Sequence, residues 1–147
     1  PRLVGFTPRN PDFEAVVREN YARHTFMHHI GAELGEVTPG HCALHLKPRP
    51  DLSQQNGFVH GGVIATLADV AGGLAAFSLF EAGADILTVE IKINYLTPAA
   101  GEEIIARGEV VKSGRTLTIV RSEVFAIKGG VETICAAGQG SLMTRKP

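Results

Sequence analysis

The spacing of apolar residues changes period three times along the chain, and the changes divide it into elements. Phe13, Val16, Val17 and Tyr21 recur at helical spacing. Asn10 is placed to cap that helix and Pro11 to open its first turn. A first helix is therefore predicted from there to about His24, followed by a short turn from Phe26 to Ile30. From Ala32 the period falls to two. Ala32 to Thr38 reads as a weak strand closed by Pro39-Gly40. His41 to Lys47 reads as a stronger one, with Cys42, Leu44 and Leu46 alternating with His41, Ala43 and His45. Pro48 and Pro50 stop it. A polar loop, Asp51 to Asn56, leads through Gly57-Phe58-Val59 into a long helical pattern, where Leu67, Val70, Ala71 and Leu74 mark one apolar stripe. This central helix is predicted over about Gly61 to Ala82, roughly 30 Å at 1.5 Å per residue, with Gly83 as its stop. The remainder is strand. Val89, Ile91, Ile93 and Tyr95 alternate with Glu90, Lys92 and Asn94. Ile104 to Lys112 and Thr116 to Ile127 flank Ser113-Gly114, and Gly129-Gly130 turns the chain into Val131 to Thr144. One long helix against one antiparallel sheet is an α+β architecture.

Composition narrows the partners. The 147 residues fit one domain, with residues 1–30 as its N-terminal helical segment. Fourteen basic and fifteen acidic residues give a formal charge of −1, so no basic surface points to nucleic acid. No run approaches the ~18 apolar residues of a membrane span, and Pro1 to Gly5 lacks the apolar run of a signal peptide. Cys42 and Cys135 are isolated and form no metal or redox motif, which predicts reduced thiols in a cytoplasmic protein. His24 and His28 stand one helical turn apart without a third ligand at a familiar spacing, so no metal is expected.

Asp69 carries the most chemistry. It sits within an apolar helix, where an ionised carboxylate is costly unless paired or reached by water. Its same-face neighbours, Ala65, Thr66, Gly72, Gly73 and Ala76, are all small. Two readings fit. The glycines could admit a neighbouring element while the acid is satisfied internally, or they could leave a cleft for substrate beside the carboxylate. His60-Gly61-Gly62 stands where the helix begins. Unpaired N–H groups and the positive end of the helix dipole favour negative charge there, and Gly61 has no side chain to block its N–H. Such a donor would polarise a carbonyl and hold the oxyanion formed on attack. Gly61 and Asp69 lie eight residues apart, about 12 Å along one helix axis, so one copy of the helix cannot bring both to one small group. A two-fold dimer, with one subunit's helix start facing the other's Asp69, is the expected solution.

The stretch from Gln55 to Asp69 (QNGFVHGGVIATLAD), with Thr88 to Ala99 (TVEIKINYLTPA) and Val111 to Leu117 (VKSGRTL), resembles the hotdog-fold thioesterases of the phenylacetate-pathway and 4-hydroxybenzoyl-CoA types. The resemblance covers about Phe26 to the end. It implies an antiparallel sheet wrapped around the central helix, and hydrolysis of an acyl-CoA thioester without metal or cofactor, coenzyme A being part of the substrate. The acyl group would be aryl, such as phenylacetyl or hydroxybenzoyl, or a medium-chain fatty acyl. In this reading Asp69 is nucleophile or general base and Gly61 N–H binds the thioester oxygen. Gln54 is the amide that contacts carbonyl or water, with Asn56 as competitor. Thr88 helps to place the water, and His60 belongs to the loop's hydrogen bonding. Gly62, Gly72, Gly73 and Val89 would border the substrate, and Phe77 or Phe80 its far end. Lys112, Ser113, Gly114 and Arg115 form the turn expected to meet the phosphates of coenzyme A. The resemblance also implies that homodimers pair into a homotetramer. The alternatives are a hotdog-fold dehydratase or hydratase, which would pair a histidine with a carboxylate across the cleft, and a non-catalytic acyl-CoA binding module, which would not need Asp69.

Overall fold

The structure is a computed structural model that describes residues 5–146. The opening residues read above for a signal peptide lie outside the described residues as far as Val4. Helix α1 spans Phe13–Ala22. Its N-cap is Asp12 rather than Asn10, because the Asn10 side chain accepts from Asp12 N–H at 3.0 Å and winds the chain one step further before the helix begins. The expected turn at Phe26 to Ile30 is a second helix, α2, Thr25–Ile30, closed by Gly31 at φ 79°. His28 Nε2 lies 3.1 Å from the carbonyl oxygens of Tyr21 and Ala22, which serves the end of α1. Tyr21 donates its hydroxyl to Ala32 C=O at 2.7 Å and ties α1 to the first strand.

The strands are β1 Ala32–Thr38, β2 His41–Leu46, β3 Asp85–Tyr95, β4 Glu103–Ser113, β5 Leu117–Lys128 and β6 Val131–Arg145. They form one antiparallel sheet in the order β1-β2-β4-β5-β6-β3. β4, β5 and β6 follow one another as hairpins, as their short turns predict. Gly129 and Gly130, both at positive φ, make the second turn. β3 instead crosses to the far edge and, among the described residues, pairs only with β6.

The central helix α3, Gly61–Phe77, packs on the inner face of this sheet. This is the α+β hotdog arrangement expected. Two glycines set the distance of approach. A Cβ on Gly108 of β4 would lie 2.3 Å from the Ala71 carbonyl group, and one on Gly72 would lie 2.8 Å from Val120 Cγ2. Ser122 closes the contact by donating its hydroxyl to Ala68 C=O at 2.8 Å. Leu67, Ala68, Ala71 and Ala75 are buried against the strands.

α3 ends five residues before the predicted Ala82. Leu79 and Phe80 donate to carbonyls three residues back, which tightens the last turn. Ser78 is fully buried. Its hydroxyl donates to Ala75 C=O at 2.6 Å and accepts from Gly40 N–H in the β1–β2 turn at 2.8 Å. A long-range tether therefore fixes this end, and Gly83, at φ 81°, belongs to the loop beyond it.

Candidate active site

The helix start is built from its own unsatisfied donors. His60 is the N-cap, and its Nδ1 accepts from Gly62 N–H at 2.8 Å. A neutral ring that accepts at Nδ1 carries its proton at Nε2. Val63 and Ile64 N–H both donate to His60 C=O, at 2.9 and 3.2 Å. Of the first four N–H groups of α3, only that of Gly61 has no acceptor among the described residues. The sequence singled out both Gly61 and Gly62. The structure leaves Gly61 as the free donor and commits Gly62 to the cap. His60→Ala is expected to destabilise the fold by about 1 kcal/mol, a Tm fall of about 3 °C in a chain of this size. His60→Asn, which restores an acceptor, should recover most of it in a thermal melt.

A cavity of about 340 Å³ opens beside Gly61. Gln54 and Asn56 border it, as do the apolar Phe58, Val59, Ile64 and Ala99. The loop holding the two amides is folded on itself. Gln54 N–H donates to Phe58 C=O at 2.8 Å, and Gln54 Oε1 accepts from Asn56 N–H. This occupies the oxygen of the Gln54 side chain and leaves its NH2 to donate elsewhere. Both amides therefore stay beside the Gly61 donor.

Asp69 does not border this cavity. It stands two turns further along α3, half-buried, and its Oδ1 accepts the Thr88 hydroxyl at 2.8 Å. The pairing depends on an irregularity in β3. Strict alternation would put Thr88 on the opposite face from Ile91, Ile93 and Tyr95. The register with β6 instead shifts between Thr88 and Glu90, so that Thr88 pairs with Leu142 and Ile91 with Gly140. The bulge falls at Val89, and it turns both Thr88 and Ile91 toward the helix side of the sheet. Val89 itself is left 59% exposed.

The glycines beside Asp69 divide. Gly72 is buried against Val120 and Ser122, so it serves packing rather than a substrate cleft, whereas a Cβ on Gly73 would meet nothing within 4 Å. Phe77 and Phe80 pack edge to face on each other at 6.3 Å within the core and do not border the cavity. Ser113 and Gly114 make the β4–β5 turn, where Gly114 N–H donates to Leu117 C=O at 2.8 Å. Lys112 and Arg115 flank it, exposed, and neither takes part in an ion pair among the described residues.

The cavity wall also includes Tyr95, Thr97, Pro98 and Cys135, none of which the sequence reading placed at the site. Tyr95 was legible as a strand position within the Thr88 to Ala99 stretch, and Cys135 arrives from β6, forty residues along the chain. Burial raises the pKa of Cys135 and, more strongly, pushes that of Cys42 up to about 12. Burial thus favours the thiol form of both. A larger hollow of about 520 Å³ lies among Phe6, His41, Arg107 and Glu123 and holds none of the predicted site residues.

The described residues thus set a free N–H at a glycine helix start and a hydroxyl-bonded carboxylate further along the same helix, which packs on one antiparallel sheet. Residues 56–133 match the thioesterase superfamily, and the chain belongs to that superfamily. It is similar to a crystal structure of a thioesterase family protein from Silicibacter pomeroyi, at 41% identity and a TM-score of 0.90 over 92% of this chain and 99% of that one. It is 30% identical to a protein of Halobacterium salinarum provisionally designated an esterase, over 88% of this chain and 91% of that protein. Human acyl-coenzyme A thioesterase 13 is 34% identical over 57% of this chain and 64% of its own length.

Proposed function

We propose that this protein hydrolyses an acyl-CoA thioester at a site shared by two subunits. The observation that carries the reading is the Gly61 N–H, which has no acceptor among the described residues. It stands at the wall of an apolar cavity, while the only carboxylate of the same helix lies about 12 Å away along its axis, bonded to Thr88. In a two-fold dimer the Gly61 end of one subunit faces Asp69 of the other.

The thioester carbonyl accepts from Gly61 N–H, with the Gln54 or Asn56 amide beside it. Asp69, with Thr88 holding one carboxylate oxygen, has two routes. As a base it takes a proton from water while the water oxygen bonds to the carbonyl carbon. As a nucleophile it bonds to that carbon and the resulting anhydride is then hydrolysed. In both routes the C–S bond breaks, and coenzyme A leaves as a thiolate that takes up a proton. Phe58, Val59, Ile64 and Ala99 suit an aryl or medium-chain acyl group, and Lys112 and Arg115 suit the phosphates of coenzyme A. The name of the human relative, an acyl-coenzyme A thioesterase, supports this substrate class.

The edge strand supports the dimer. Leu87 is 53% exposed, and Val89 and Ile91 stand open on β3, whose outer edge is unpaired among the described residues. A long, apolar, unpaired edge invites a second strand, and a second copy of β3 would satisfy it. The test of activity is thiol release from a panel of aryl- and fatty acyl-CoA thioesters. Release from at least one of them is expected. Tight binding of coenzyme A with no release from any thioester would leave a binding module instead.

A further inference from the structure

We propose that Tyr95 is the positioning residue of the Gly61 donor, holding by its hydroxyl the peptide that follows it; this rests on the thioesterase reading above. Tyr95 stands near the end of β3, paired with Ala136 on β6. Its hydroxyl donates to Gly61 C=O at 2.8 Å, and its ring lies 3.3 Å from where a Gly61 Cβ would stand. The same peptide is held at its other end, since Gly62 N–H donates to His60 Nδ1 at 2.8 Å. A peptide unit is planar, so two bonds at opposite ends fix the orientation of the plane.

The need for such a clamp follows from the sequence. Two consecutive glycines open the helix, and glycine is the residue with the greatest backbone freedom. A helix terminus is also where hydrogen bonds open most readily. The Gly61 N–H lies on the preceding peptide, whose His60 C=O accepts from Val63 and Ile64 N–H; holding the following peptide as well sets the Gly61 φ and ψ that join the two planes. An oxyanion donor contributes most when its direction is set before the reaction. His60 supplies one hold from within the loop. Tyr95 supplies the other from the sheet, and so ties the donor to the rigid part of the fold. Tyr95 also borders the cavity, so the group that orients the donor forms part of the wall against which the acyl group lies.

The test is Tyr95→Phe, which keeps the ring and removes the hydroxyl. Expected are a kcat lower by about three- to tenfold, the range of one neutral hydrogen bond, and a KM within twofold of wild type. Amide hydrogen exchange at Gly62, read by NMR in the intact protein, should quicken. In a Gly61→Pro background, where no N–H remains to be oriented, Tyr95→Phe should cost nothing further. An unchanged kcat, a rise in KM alone, or a loss that adds in full to that of Gly61→Pro would overturn the assignment. If the wild type releases thiol from no acyl-CoA, the thioesterase reading fails separately. Exchange at Gly62 then still decides the clamp: unaltered exchange in Tyr95→Phe would remove it.

Discussion

Asp69→Asn is expected to lower thioester turnover by about 10²- to 10⁴-fold, the range for a group that transfers a proton in the reaction, while acyl-CoA affinity stays within about threefold. The substitution separates charge from shape. An asparagine side-chain oxygen can still accept the Thr88 hydroxyl that Asp69 Oδ1 accepts at 2.8 Å, and Asp69 is not enclosed by the core. Fold and edge strand should therefore be unaffected, and thermal melts should overlay. Steady-state rates and equilibrium binding of the substrate to the variant check the prediction. Turnover within tenfold of wild type, a barrier change of only about 1.4 kcal/mol, would remove Asp69 from the reacting groups.

Gly61→Pro carries the second large effect. Proline lacks the N–H and is favoured at the first position of a helix. His60, which would precede it, already sits at φ −58° and ψ 137°, the extended conformation that a following proline requires. The helix should form with its oxyanion donor deleted. Loss of one such donor is worth about 10²- to 10³-fold in kcat. Gly61→Ala is the control, because it adds a Cβ against the same Tyr95 ring, at 3.3 Å, and keeps the N–H. The alanine variant should retain most of the activity. Equal losses in the two variants would mean that the Tyr95 contact matters and the N–H does not.

The local parts of this site were legible in the sequence. The helix start at Gly61, the carboxylate at Asp69 and the meander of β4 to β6 all rest on spacing within a few residues, and the structure places them accordingly. What was not legible depends on partners distant in the chain. The end of α3 is set by Ser78 meeting Gly40 across the fold. The space expected at Gly72 is taken up by Val120 and Ser122 of β5. Val89 looks like one more inward position in a regular alternation, yet it is the residue at which β3 bulges against β6. That shift brings Thr88 to Asp69, a pairing that alternation alone would forbid. Tyr95 was assigned only a strand position, and its hydroxyl gains meaning once β3 lies against the first turn of α3.

The separation of Gly61 from Asp69 makes the shared site the central claim, and mixing two inactive variants tests it directly. Asp69→Asn and Gly61→Pro subunits, unfolded together at equal concentration and refolded, should assort so that about half of the dimers are mixed. In a mixed dimer one site joins the intact Gly61 of the first variant to the intact Asp69 of the second, and the other site carries both lesions. The shared site predicts recovery to about a quarter of wild-type activity, from two preparations that are each nearly inactive. If each site lay within one subunit, every site would carry a lesion. Activity no higher than the mean of the two parents would contradict the account.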